Sequence, residues 1–230
     1  MSFLEQGYAI HPGILTAEQV ARLREAMAAL PEDTAVRRKR SVYGARHLLD
    51  VCPEVRELAA SSAVRSLVTP ILGECAFAVR AIFFDKVPGA NWSLFWHQDN
   101  VIAVKERRET DGFVGWSKKS NVWQVQPPAE VLSKMVAVRL HLDDCFAGNG
   151  ALRVIPGSHR SGWLDDELDD WKRRVTEVTC EAGTGDAVLM CPLTLHASAP
   201  SEQPTHRRVI HIEYAAANLP RGLEWHDRVR

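Results

Sequence analysis

The spacing of hydrophobic residues predicts a helix near the start of the chain. Val20, Leu23 and Met27 recur at the spacing of one helical face. Thr16 precedes this run, and Gln19 lies three positions after Thr16, which is the pattern of a capping box. We therefore expect a helix that begins after Thr16, and a second, more broadly apolar helix over residues 54–72.

The hydrophobic period changes to two after residue 75. Such alternation indicates β-strands, and turn signals such as Gly148-Asn149-Gly150 separate them. The expected strands are Ala76–Lys86, Lys134–Asp143, Ala151–Ile155, Arg174–Cys180, Ala187–Cys191 and Arg207–Tyr214. Because helices come first and strands follow, the pattern predicts an α+β protein that is mainly β.

Two of the expected strands have one aliphatic face and one unusual polar face. Arg139 and His141 alternate with aliphatic residues on the first, and Arg207, His211 and Glu213 share a face of the second. A sheet with one face in water explains this pattern, and so does a barrel with a polar interior that holds a site. Alternation alone does not separate the two.

Residues 100–131 are rich in charge and tryptophan and show no sustained period. A segment of that length without regular structure is usually functional, so we expect a lid that contacts substrate. Trp116 and Trp123 would offer flat apolar walls, and Lys118 and Lys119 would meet a carboxylate or phosphate. The alternatives are packing for the tryptophans and a solvated loop for the lysines.

Composition narrows the class of partner. The chain has 230 residues, 46% of them hydrophobic, so a single domain over 1–230 is expected. The net charge of -1 gives no field that favours nucleic acid or an anionic membrane, and a small-molecule partner is expected. Five scattered cysteines without a C-x-x-C pair fit a reducing compartment. With no apolar run of ~18 residues, we expect no membrane span and a cytoplasmic location.

The sequence His97-Gln98-Asp99 is a candidate metal motif. In extended chain the two outer residues point to the same side. Two imidazoles and one carboxylate form the ligand set that leaves open positions on non-haem Fe(II) for a cosubstrate and dioxygen. H-x-D also occurs by chance, and without other support a turn histidine beside a capping aspartate is its commoner explanation.

Support for the metal motif comes from a distant histidine and arginine. His196 follows a strand-like run, and Arg207 lies eleven residues later at the start of the next expected strand. A guanidinium there suits a fork onto the far carboxylate of 2-oxoglutarate. Arg208 is the competitor, since a shift of one residue turns the other strand face inward. We prefer Arg207 because its face of the strand is the polar one.

Three segments carry a resemblance to a known family. FDKVPGANWSLFWHQD, NGALRVIPGSHRSG and HASAPSEQPTHRR occur in this order, and from about Phe77 to Tyr214 the chain resembles the phytanoyl-CoA dioxygenase family. The resemblance implies a double-stranded β-helix, that is, a jelly-roll, cupin-like barrel. Its core would span about 74–216, and the helical part of about 1–73 would pack on the outer face.

The resemblance also implies roles for individual residues. The residues that match its iron ligands are His97, Asp99 and His196. The residues that match its 2-oxoglutarate pocket are Arg207, Ser198, Arg80 and Arg139, the last two at positions where the residue type varies. Family members that halogenate lack the carboxylate at position 99, so chlorination is not expected.

The implied activity is that of an Fe(II)- and 2-oxoglutarate-dependent dioxygenase. It would use dioxygen to hydroxylate a small-molecule metabolite and release succinate and carbon dioxide, although desaturation, ring closure and demethylation use the same ligands. Two alternatives are a zinc-dependent jelly-roll hydrolase and a binding module without turnover. Zinc chemistry gives no reason for Arg207 and Ser198, and the complete ligand set argues against the second alternative. The metal motif does not name the substrate.

Overall fold

The computed structural model describes residues 2–33, 35–39, 41–164 and 167–230. The helices are α1 (Phe3–Gln6), α2 (Ala17–Ala28), α3 (Leu48–Val51), α4 (Pro53–Ala60), α5 (Ser62–Leu72), α6 (Ala129–Leu132) and α7 (Leu168–Arg174). The first seven strands are β1 (Tyr8–His11), β2 (Val36–Arg38), β3 (Val42–Ala45), β4 (Phe77–Asp85), β5 (Leu94–His97), β6 (Ile102–Val104) and β7 (Val114–Lys119). The others are β8 (Val122–Gln126), β9 (Met135–His141), β10 (Leu152–Val154), β11 (Val178–Cys180), β12 (Ala187–Met190), β13 (His196–Ser198) and β14 (Arg208–Ala215). Within these residues, none of the helices has the length and apolar character needed to cross a membrane.

The first long helix begins where the sequence predicts. The Gln19 backbone N–H donates to Thr16 Oγ1 at 3.2 Å, and the Thr16 N–H donates to Gln19 Oε1 at 2.9 Å. The second predicted helix is divided into α4 and α5, so a continuous helix over 54–72 is wrong. The break is at Ser61, whose backbone is extended and whose hydroxyl accepts from Val64 N–H at the start of α5. A serine that caps one helix cannot also continue the preceding one.

The largest of the sheets is antiparallel and has seven strands, in the order β1-β12-β9-β14-β4-β3-β2. One face packs against α2, α4 and α5 in the main hydrophobic core, through residues such as Leu140, Ile212 and Tyr214. The polar residues of the same strands point to the opposite face, where His211 is in register with Arg139. The helices therefore cover the outer face, as predicted.

A four-stranded sheet in the order β11-β10-β13-β5 faces the inner side of the large sheet. Leu152 and Val154 of the small sheet pack against Val188 and Met190 of the large one. Arg139, His141, His211 and Glu213 are all buried between the sheets. The polar face is thus an enclosed interior, and the alternative of a sheet with one face in water is wrong.

Further regions differ from the sequence-based expectation, and β5 and β13 were not among the expected strands. The segment 100–131 contains a third sheet in the order β6-β8-β7, so the expected lack of regular structure is wrong. The turn between β7 and β8 is Ser120-Asn121, with left-handed φ angles of 47° and 63°, which suit a two-residue hairpin. The expected strand 174–180 is shortened to β11, and α7 precedes it. The N-terminal part is not only helical, because it contributes β1, β2 and β3 to the large sheet.

Candidate active site

Neighbouring strands bring the predicted metal ligands together. β5 and β13 are antiparallel, with His97 opposite His196, and the two ring centroids are 4.2 Å apart. Asp99 follows β5, and its backbone N–H donates to the Pro192 carbonyl at 2.9 Å. One ligand atom from each of His97, Asp99 and His196 lies within 4.8 Å of the others. We call these three residues the triad.

Gln98 fixes the orientation of the residues on either side of it. Its side chain is buried and points away from theirs, as the extended chain predicts. The amide nitrogen donates to the Gly162 carbonyl at 2.8 Å and to the Leu193 carbonyl at 2.7 Å, and its oxygen accepts from Leu164 N–H at 2.9 Å. The buried amide therefore holds the main chain in the conformation that turns His97 and Asp99 to the same side.

Both histidines of the triad present the same ring nitrogen to the cluster. His97 Nδ1 lies 2.7 Å from the Phe95 carbonyl oxygen, and His196 Nδ1 lies 2.8 Å from that of Thr194. Because a carbonyl oxygen only accepts, each Nδ1 carries the proton. The Nε2 lone pairs are left free, and His196 Nε2 is 3.8 Å from Asp99 Oδ1. Such outer contacts orient histidines that ligate metals.

The triad has the protonation state that a metal requires. Burial raises the pKa of Asp99, but the charges that His196, His211 and His97 carry when they are protonated outweigh it and lower the pKa to about 2. Burial lowers the pKa of His196 to about 4. At neutral pH the triad therefore offers a carboxylate beside a neutral imidazole. Asp99 Oδ2 is buried without a hydrogen-bond partner among the described residues, so these donors fit a divalent cation.

The two candidate arginines have different surroundings. Arg208 lies on the outer side, where Nε and Nη2 bind both oxygens of Asp143 at 2.7 and 2.8 Å. Arg207 is buried immediately before β14, and its Nε has no hydrogen-bond partner in the described structure. Burial lowers the pKa of Arg207, and its side-chain neighbour is the thiol of Cys145, whose own pKa is raised by burial. The guanidinium of Arg207 thus faces the interior without a carboxylate bound to it.

Lys86 is a buried cation that the sequence analysis missed. Its ammonium group donates to Ser198 Oγ at 2.6 Å and to the Ala199 carbonyl. Burial, together with the charge of Arg207, lowers its pKa to about 7. Gly150 makes room for it, since a Cβ there would lie 2.7 Å from Lys86 Nζ. The sequence did contain one signal for Lys86. It lies six positions after Arg80, and residues an even number of positions apart in a strand point to the same face.

Arg80 and Arg139 also lie in the interior, but both have partners. Arg80 forms an ion pair with Glu213, and its Nε donates to Glu213 Oε1 at 3.0 Å. Arg139 Nη1 lies 3.1 Å from His211 Nδ1, and His211 Nε2 lies 3.3 Å from Glu213 Oε1. These four side chains form one buried network along the large sheet. Arg207 and Lys86 are outside it.

The predicted substrate residues of the 100–131 segment lie on β7 and β8. Trp116 and Trp123 pack against a second hydrophobic core formed with β6 and the C-terminal residues. Lys118 and Lys119 are exposed, and Lys118 Nζ lies 5.7 Å from the centroid of the Trp123 ring. These contacts favour packing for the tryptophans. A role of the segment in substrate binding stays a prediction.

The fold is a jelly roll whose interior holds a His/Asp/His cluster that could bind a metal, together with buried cationic side chains. Residues 3–209 match the family model described as phytanoyl-CoA dioxygenase (PhyH). The chain belongs to the phytanoyl-CoA dioxygenase family. It is an Fe(II)- and 2-oxoglutarate-dependent oxygenase, which decides against the zinc hydrolase and the binding module without turnover.

Solved structures share this fold at low sequence identity. EctD from S. alaskensis, crystallised with 2-oxoglutarate and 5-hydroxyectoine, is 23% identical with a TM-score of 0.69, over 93% of this chain and 73% of EctD. AviO1 from Streptomyces viridochromogenes Tue57 is 22% identical with a TM-score of 0.65, over 95% and 93%. The non-heme alpha ketoglutarate dependent epimerase SnoN from nogalamycin biosynthesis is 18% identical with a TM-score of 0.69, over 94% and 79%. No curated protein matches the sequence.

Proposed function

We propose that His97, Asp99 and His196 hold one Fe(II) and that the enzyme uses it to oxidise a small organic metabolite. The observation that carries this assignment is the buried Asp99 Oδ2, which lacks a partner beside two free imidazole nitrogens. An orphaned carboxylate oxygen in such a position is costly unless it binds a cation. We also propose that residues 1–230 act as one domain.

Fe(II) on such a triad supplies open positions at which 2-oxoglutarate and dioxygen react to give succinate, carbon dioxide and an oxidised substrate. The protein orients both molecules and keeps water away from them. We infer the exclusion of water from the enclosure of the triad between two sheets. His196 is almost fully buried, and Asp99 retains a side-chain exposure of 24%. The opening on the Asp99 side is where we place substrate entry.

The distal carboxylate of 2-oxoglutarate is proposed to bind Arg207, Ser198 and Lys86. Arg207 offers a planar fork with no carboxylate bound to it, and the Ser198 hydroxyl lies two residues from His196 in β13. Lys86 donates to that hydroxyl, and a bound carboxylate would favour its positively charged form. We give Arg80 and Arg139 a supporting role, because their guanidinium groups already bind Glu213 and His211.

A direct test of the proposed function measures metal content and cosubstrate turnover together. Protein purified without oxygen should bind one equivalent of Fe(II), and under air it should convert 2-oxoglutarate to succinate. Zn²⁺ should occupy the same triad and give no succinate. Iron binding without any succinate in a broad metabolite screen, or hydrolysis by the zinc form, would contradict the proposal.

Loss of the Lys86 charge is expected to weaken 2-oxoglutarate binding. Lys86→Gln keeps a donor for Ser198 without the charge, and Lys86→Met removes both, so each should raise the Kd about tenfold. The Kd of 2-oxopentanoate, which lacks the distal carboxylate, should not change. Calorimetry on the iron-loaded protein without oxygen measures both Kd values. A second titration, of succinate into the metal-free protein, measures binding of the distal carboxylate without the metal. Lys105→Met at an exposed position is the control. Unchanged 2-oxoglutarate affinity in both variants would restrict Lys86 to a structural role.

A further inference from the structure

A cavity of about 280 Å³ lies at the edge of the large sheet. It is formed by β3 and β4 together with the connection from β4 to β5, and its lining includes Arg37, Tyr43, Arg46, Ile82, Phe84 and Trp92. None of these residues was selected by the sequence analysis. The volume is just below the range of drug-sized ligand pockets, roughly 300–1,000 Å³, so the cavity suits a small metabolite.

Three aromatic rings form the apolar part of this cavity, which we call the aromatic pocket. The Trp92 ring lies 6.5 Å from the ring of Tyr43 and 6.5 Å from that of Phe84, tilted by 55° in both cases. All three side chains are only partly buried, so their faces remain available to a ligand. Rings at these distances and angles form walls that hold a flat apolar group.

Two arginines give the aromatic pocket a positive charge. Burial lowers the pKa of Arg46, and the nearby charges of Arg37 and Arg80 lower it further. Arg80 is neutralised by Glu213. In the described part of the chain, no carboxylate forms an ion pair with Arg37 or Arg46. Two neighbouring guanidinium groups without an acidic partner are best stabilised by a bound anion, which they bind through two or more hydrogen bonds.

The aromatic pocket adjoins the interior that contains the triad. The Phe84 ring lies 6.3 Å from the ring of His211, and the Arg139 guanidinium carbon lies 6.0 Å from the centroid of the Phe84 ring. A molecule seated between Phe84 and Trp92 therefore lies next to the interior that contains the triad, and its oxidisable end must extend into that interior to react.

We infer that the aromatic pocket binds the oxidisable substrate, and that this substrate is a small anion with a flat apolar body. Its carboxylate or phosphate binds Arg46 and Arg37, and its apolar body packs between Phe84 and Trp92. This inference rests on the proposed function, because it assigns the substrate of the same triad. It also moves substrate recognition away from Trp116 and Trp123.

The test compares charged and neutral probes of the same shape. The panel contains 3-phenylpropionate and indole-3-acetate, their primary amides, phenyl phosphate and phenol. Calorimetry on the protein loaded with Fe(II) and 2-oxoglutarate without oxygen measures binding. At least one acid or phosphate should bind about tenfold or more tightly than its neutral counterpart. The carboxylate and phosphate arms show which anion is preferred.

Substitutions then locate the binding site. Arg46→Gln should remove the preference for the anion and leave the affinity of the neutral probe unchanged, and Trp92→Leu should weaken both. Arg37→Gln is the substitute if Arg46→Gln does not fold, because Arg37 is exposed. It should reduce the preference for the anion in the same direction but more weakly. Arg22→Gln is the control, because Arg22 lies on α2 in an exposed ion pair with Glu57.

The inference is overturned if no anion is preferred, or if the preference survives both arginine substitutions. Its failure is distinguishable from failure of the proposed function. Protein that binds Fe(II) and 2-oxoglutarate but shows no arginine-dependent anion preference keeps its function and loses this substrate site. Protein that binds neither would fail at the loading step, before any probe is added.

Discussion

Replacement of Asp99 by alanine is expected to lower succinate-forming turnover by at least about a hundredfold while the protein remains folded. Loss of an outer contact to a metal ligand typically costs about ten- to a hundredfold in metal affinity or activity, so loss of a ligand itself should cost no less. The fold should persist, because Asp99 is tied to Pro192 through its backbone N–H and its Oδ2 accepts no hydrogen bond in the described structure.

Three measurements decide the Asp99→Ala prediction. Metal analysis after anaerobic loading should show reduced iron, succinate release should be nearly absent, and the thermal unfolding midpoint should stay close to that of the wild type. Asp111→Ala is the matched control, since Asp111 is an exposed aspartate paired with Arg221 at 2.7 Å. A variant with normal iron content and normal turnover would show that Asp99 is not a ligand.

Arg207→Lys is expected to raise the KM for 2-oxoglutarate between about tenfold and a hundredfold. A charge-assisted hydrogen bond contributes about 1.5–3 kcal/mol, and lysine retains the charge but lacks the planar fork. Arg208→Lys should leave this KM nearly unchanged, because Arg208 binds Asp143 on the outer side of the sheet.

Binding of 2-oxoglutarate to the iron-loaded protein without oxygen should follow the same ranking of the two variants. This second measurement separates cosubstrate affinity from changes in turnover. Arg208→Lys instead should lower the free energy of unfolding slightly, since a lysine cannot bind both oxygens of Asp143. If Arg208→Lys impaired 2-oxoglutarate binding and Arg207→Lys did not, the cosubstrate arginine would be Arg208.

Local sequence determined much of the ligand geometry. An H-x-D motif in extended chain turns His97 and Asp99 to one side, because the period of a strand is two, and the hydrogen bonds of Gln98 hold the chain in that conformation. The same parity selected Arg207 over Arg208, and the structure has Arg207 buried and Arg208 bound to Asp143. The capping box at Thr16 was readable for a similar reason, since both of its hydrogen bonds join residues three positions apart.

Other features depend on contacts between residues that are far apart in sequence. The hairpin of β7 and β8 has a Ser-Asn turn and an exposed first strand, so neither a strong turn signal nor clear alternation marked it. Lys86 reads as an ordinary charged residue at the end of a strand. Only the folded chain shows it fully buried against Ser198, 112 positions away.

The sequence by itself determined the family, the candidate ligand residues and the strand faces, because these follow from ordered motifs and from backbone periodicity. The tertiary structure alone decided which cations face the interior without an acidic partner. In the sequence, Arg80 and Arg139 were named beside Arg207 only at positions where the residue type varies. In the described structure Arg80 pairs with Glu213 and Arg139 contacts His211, and no carboxylate binds the guanidinium of Arg207. The charge available at a buried site depends on how the neighbouring side chains pair in space, and strand register and sheet packing set that pairing.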